Sequence, residues 1–162
     1  MELENFFSLE PYNWHSVGTA VLCGFIVGLE RQLRGKPVGI RTSALICLGT
    51  YIFVFSSMLI TTAATDPSRV IGQVITGIGF LGAGVMLTKD GIVLGVTSAA
   101  AIWALAAIAV CIAIGHLFVA IKLAIIVVVI LVGVDLFEEY SSAFTRGVHS
   151  KISRLKSKSN NQ

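Results

Sequence analysis

The sequence predicts an all-α integral membrane protein of five transmembrane helices with Gly/Ala-rich packing faces. Three observations predict it. Hydrophobic residues make up 55% of the 162-residue chain and charged residues 13%, with a mean hydropathy of +0.85; a water-soluble domain of this size is less apolar. The apolar residues fall into five runs, most of them near the roughly 20 residues that cross hydrocarbon. The net charge of +3 gathers in two clusters, one at 30–42 and one in the C-terminal tail, which five crossings place on the same side of the bilayer. Charge so arranged describes topology, with the lipid bilayer as partner and no nucleic acid.

Residues 1–13 form a polar, acidic N-terminal segment, read as external, and Trp14 stands where an interfacial anchor belongs. The first ten residues carry Glu2, Glu4 and Glu10 and no Lys or Arg, so no cleaved signal peptide is expected. The membrane domain covers 14–137. Its first span, His15 to Leu29, is short and holds the pair Gly24 and Gly28. The loop ERQLRGKPVGIRT sets Arg31, Arg34, Lys36 and Arg41 against Glu30, and the positive-inside rule makes it cytoplasmic. The second span runs from Ser43 to about Ala63. Asp66 then caps a third span with Pro67 at its first helical position. That span continues to about Thr88, the connection at Lys89, Asp90 and Gly91 leads to a fourth span at Thr97 to Ile114, and Gly115 and His116 turn the chain into a fifth at Leu117 to about Phe137. Residues 138–162 form a basic cytoplasmic tail suited to anionic lipid.

The third span is the glycine-rich one. Five glycines in a soluble helix would each cost about 1 kcal/mol relative to alanine, whereas in lipid small residues let backbones approach closely. Gly72, Thr76, Gly79 and Ala83 recur at four, three and four, and Ala100, Ala104, Ala107 and Cys111 repeat that spacing in the fourth span. The pattern predicts two small-residue stripes that pack against one another, and a homo-oligomer, because these faces exceed what one small bundle needs.

Charged and polar side chains suggest a cytoplasmic cluster of Glu30, Arg31, Arg41, Asp90 and Thr97. Arg34 and Lys36 are read as topology and lipid contact. Glu30, at the end of a short span, must be paired or solvated. Two acids beside three or more bases make a poor magnesium cage, and Cys23, Cys47 and Cys111 have no metal-ligand spacing. Lys122 is placed to snorkel. No nucleophile triad or phosphate loop is present, so neither an enzyme nor a cofactor is expected.

The motifs GLERQLRGKPVGIRT at 28–42, DPSRVIGQVITGIGFLGAGVML at 66–87 and GVTSAAAIWALAAI at 95–108 together resemble the MgtC/SapB family of bacterial inner-membrane proteins over residues 18 to 115. The resemblance implies a five-span regulator linked to magnesium limitation and phosphate handling, acting through membrane partners such as the ATP synthase. It implies functional positions at Glu30, Arg31, Arg41 and Thr42 in the loop motif, Arg69 and Gln73 at the start of the third span, and Asp90 and Thr97 around the fourth. Trp103 is followed by Ala104 where many members carry cysteine, and Leu94 stands where an arginine is usual. The expectation is a short form without the ACT-like cytoplasmic domain of virulence-type members. An ion or anion transporter with a Glu30/Arg41/Asp90 mouth is the rival from another class, and a ligand-free membrane scaffold the third reading.

Overall fold

The helices start and stop where caps and glycines dictate. In the computed structural model, which describes residues 8–60, 66–89 and 91–140, α1 spans Trp14–Leu33, α2 Ile40–Leu59, α3 Pro67–Gly84, α4 Val96–Ala113 and α5 Leu117–Tyr140. Asn13 caps α1 by accepting from the His15 N–H. Asp66 caps α3 by accepting from the Ser68 N–H at 2.9 Å, with Pro67 in the first turn as expected from sequence. Of these helices, α2, α4 and residues 117–137 of α5 are long and apolar enough to cross a membrane.

The connection expected as a plain loop between the third and fourth spans holds a hairpin. Strands β1 (Leu87–Lys89) and β2 (Ile92–Leu94) pair antiparallel, with Leu87 opposite Leu94 and Lys89 opposite Ile92. The signal was legible: an Asp-Gly pair flanked by β-favouring residues is a strong short-range hairpin pattern. Gly95, at φ +87°, then turns the chain into α4, and a side chain there would run into the Val85 carbonyl oxygen.

Two compact units divide the chain at 128/129. In the first, a core cluster joins Val38 of the α1–α2 connection, Ile78 of α3, and Ile102 and Ala106 of α4, with Ile46, Val74 and Val85 against it. Tyr12, Tyr51 and Phe55 make an aromatic group near the far end of α2, with ring centroids 5.5–6.4 Å apart. In the second unit the described residues belong to α5 and expose Val129, Ile130, Val134, Leu136 and Phe137.

The structure does not pair the two small-residue stripes. Gly72, Thr76, Gly79 and Ala83 are exposed, as are Ala100 and Ala107, while Ala104 and Cys111 are half-buried. The inward face of α3 carries Val74, Ile78 and Gly82 instead, followed by Val85 at its C-cap, and Gly82 meets Ala99. On α4 the buried positions include Ala101, Leu105, Ile108 and Ile112, the predicted stripe shifted by one residue, or about 100° of helix rotation. The reason is volume. A Gly/Ala face has too few atoms to fill the space around Val38, and a lining without partner atoms loses its dispersion contacts.

Candidate functional site

Close backbone contact between α1 and α2 builds the site. A Cβ at Gly24 would lie 2.5 Å from the Ala44 Cα, and one at Gly28 would lie 2.6 Å from the Ile40 Cα. Only a hydrogen atom fits at either position. The GxxxG pair of the first span is therefore a helix contact, and it holds the last turns of α1 beside the start of α2.

Those last turns carry the charge. Glu30 is 7% exposed and Arg31 3%. The Arg31 Nη2 donates to the Ser98 Oγ at 2.7 Å, tying α1 to the first turn of α4. The Arg31 Nη1 stands 3.8 Å from the Glu30 Oε2, and the Arg34 Nε stands 3.0 Å from the Glu30 Oε1, one helical turn on. Neither Glu30 oxygen makes an aligned hydrogen bond, and neither does the Arg31 Nε. Charge contact rather than hydrogen bonding thus balances the buried carboxylate, which makes the cluster costly to disturb: removing one member leaves an uncompensated charge.

The connection beside the cluster is fixed by a strained residue. Val38 adopts φ +69°, a conformation that a β-branched side chain rarely tolerates and that costs about 1–3 kcal/mol. Its side chain is buried against Ile78, Ile102 and Ala106, and its carbonyl accepts from the Ser43 Oγ at 3.1 Å. Packing offsets strain, and the basic connection between α1 and α2 is pinned to α3 and α4.

Sequence-predicted positions divide accordingly. Glu30 and Arg31 come together, whereas Arg41, Thr42, Thr97, Arg69 and Gln73 are exposed and outside the cluster. Asp90 lies outside the described residues. Thr42 and Gln73 line a groove of about 640 Å³ between α2 and α3. Arg34, read from sequence as topology and lipid contact, pairs with Glu30. Ser98 was missed, although it follows Thr97 in the helix-starting segment GVTS. Lys122 is exposed. Among the described residues, no group of three or more His, Cys, Asp and Glu side chains could hold a metal ion.

Fold and site together define a helical membrane protein whose buried acid–base cluster ties the end of α1 to the start of α4. The chain belongs to the MgtC family, whose sequence pattern matches residues 17–140. It is 40% identical over 150 residues to an uncharacterized protein of Haemophilus influenzae, covering 87% of this chain and 60% of that one. Protein MgtC of Salmonella typhimurium is 42% identical over 97 residues, 60% of this chain and 41% of that protein. YhiD of Escherichia coli, whose name proposes a magnesium transporter, is 44% identical over 96 residues, 55% of this chain and 44% of that protein. The chain thus spans about two-fifths to three-fifths of the length of these relatives. No solved structure matches. Family and helices together make it a bacterial membrane protein.

Proposed function

We propose that this is a regulatory membrane protein of the MgtC/SapB type, serving magnesium or phosphate homeostasis through membrane-protein partners such as the ATP synthase. The observation that carries this reading is the locked state of the charged cluster. Glu30 is held by Arg31 and Arg34, and Arg31 by Ser98. Beyond the cluster the buried polar side chains among the described residues are the hydroxyls of Ser43, Thr50, Tyr51 and Ser57, set among Ala20, Cys23, Val27, Cys47, Val54 and Leu105, and none of them is charged. A conduction pathway needs side chains that bind an ion and release it, whereas this interior supports a rigid body that presents surfaces.

The proposed topology has five crossings of the bacterial inner membrane, an external N-terminus and a cytoplasmic C-terminus. Arg41, Thr42, Asp90 and Thr97 then face the cytoplasm with the cluster beneath them, and Arg69 and Gln73 lie toward the opposite side on α3. The exposed faces at Gly72/Gly79 and Ala100/Ala107 are available to a second copy in a homo-oligomer.

The names of the relatives favour a second reading, transport of Mg²⁺ or an anion through a Glu30/Arg41/Asp90 mouth. Purified protein in liposomes separates the two. No flux of magnesium or phosphate is expected, together with co-purification of ATP synthase subunits from cells. Flux that disappears in Glu30→Gln would overturn the regulator and establish the transporter. Reporters fused after Gln162 test the topology, with activity of a cytoplasm-only reporter expected there.

A further inference from the structure

We infer that the groove between α2 and α3 is a site for one anionic diacyl phospholipid, its tails in the groove and its headgroup on Arg41. The inference rests on the proposed crossing of α3, not on any role in magnesium homeostasis. The groove is lined from Thr42 to Phe53 on α2 and from Val70 to Leu81 on α3, with Gly49 and Gly77 in its walls, and has a volume of about 640 Å³.

Size and shape select the occupant. Eleven steps from Thr42 to Phe53 at a rise of about 1.5 Å give a groove roughly 17 Å long, close to half of the ~30 Å hydrocarbon core. Its length is that of one leaflet. Spreading 640 Å³ over that length leaves a cross-section on the order of 40 Å². A helix with its side chains is about 10–12 Å across, roughly 80–110 Å², and would lie over the groove rather than inside it. Carbon chains in contact lie about 3.5–4.0 Å apart, so two extended acyl chains fit side by side.

Charge selects the headgroup. Arg41 is exposed, immediately precedes the groove residue Thr42, and has no ion pair among the described residues. Lys36, in the preceding connection, is exposed as well. Among the described residues, the acid of this connection, Glu30, is already engaged by Arg31 and Arg34. Basic residues at the level of the headgroups attract anionic lipid at about 1 kcal/mol each.

The test is native mass spectrometry of the full-length protein, released from detergent after mixing with equal amounts of dioleoyl phosphatidylglycerol and dioleoyl phosphatidylcholine. One phosphatidylglycerol per chain is expected, at least fivefold over phosphatidylcholine. Arg41→Gln should bring the two lipids to parity. Gly77→Leu should remove both, because a Cβ there meets nothing within 4 Å and the added side chain fills groove space without a clash. Gly79→Leu, equally unobstructed but not lining the groove, should retain them. Equal retention by the unmodified protein would overturn headgroup selection, and unchanged retention in Gly77→Leu would overturn the groove as the seat of the tails. A dimer mass that replaces the lipid-bound monomer would give the groove to a second copy. Reporters fused after Ser68 and after Lys89 test the α3 crossing separately: the same side for both would remove the basis of the inference.

Discussion

The Arg31 guanidinium donates to the Ser98 hydroxyl at 2.7 Å across 67 positions of sequence, and both residues are almost fully buried. Ser98→Ala should therefore lower stability by about 1–3 kcal/mol, the cost of stripping a partner from a buried donor. Glu30→Ala should cost more, about 3–5 kcal/mol, because two guanidinium groups then lose their counter-charge. Equilibrium unfolding in mixed micelles measures both. A Glu30→Ala protein as stable as the parent would show that the cluster is solvated.

Gly24→Ala tests the contact between α1 and α2. The new methyl group would meet the backbone of Ala44 at 2.5 Å, and backbone cannot swing aside as a side chain can. Overpacking of this kind costs about 1–3 kcal/mol, so the variant should unfold at lower denaturant. Gly79→Ala is the comparison: nothing lies within 4 Å of its Cβ position, and the expected change is within about 0.5 kcal/mol. Equal losses in the two variants would mean that the α3 stripe is also a contact.

Gly95 is a different kind of glycine. At φ +87° it occupies backbone space that costs other residues about 1–2 kcal/mol, and its Cβ position overlaps the Val85 carbonyl oxygen. Gly95→Ala should cost more than the left-handed term alone, displacing the hairpin from the end of α3. Proteolysis at 87–94 in detergent is the readout, and accelerated cleavage is the expected result.

Asp66 gives a pH signature. The Ser68 hydroxyl and the Ser68 N–H both donate to its carboxylate, which holds its pKa below the ordinary value. A depressed folded pKa contributes stability that is present above the ordinary carboxylate pKa of about 3.9 and is lost as pH falls through the folded value. Melting temperature should drop below about pH 4 in the parent. Asp66→Asn, which keeps an N-cap acceptor, should lose part of that dependence. An unchanged profile in Asp66→Asn would assign the acid sensitivity to another carboxyl.

Much of this was legible in sequence because local chemistry decides it. Five apolar runs became five helices among the described residues. Asp66 and Pro67 marked the start of α3, and Gly24 and Gly28 marked a close helix contact, since capping and backbone approach depend on residues near in sequence. Glu30 stood out because a carboxylate at the end of a short apolar run must find a counter-charge somewhere. Helix rotation was not legible. On α4 the buried residues repeat the four-three-four spacing of the small stripe one position on, and on α3 Val74 and Ile78 stand two positions from Gly72 and Thr76, so periodicity alone allows either face inward.

Sequence by itself determined the class, the helices and the acid that has to be paired. Tertiary structure alone decided which face of α3 and α4 turns inward, that Arg34 and Ser98 complete the Glu30–Arg31 cluster, and that Arg41 stays exposed next to the groove residue Thr42. The physical reason is that partner choice depends on volume and distance. Ile78 and Ile102, with Ala106, fill the space around Val38, and that packing goes with the rotation of α4 that brings Ser98 to Arg31.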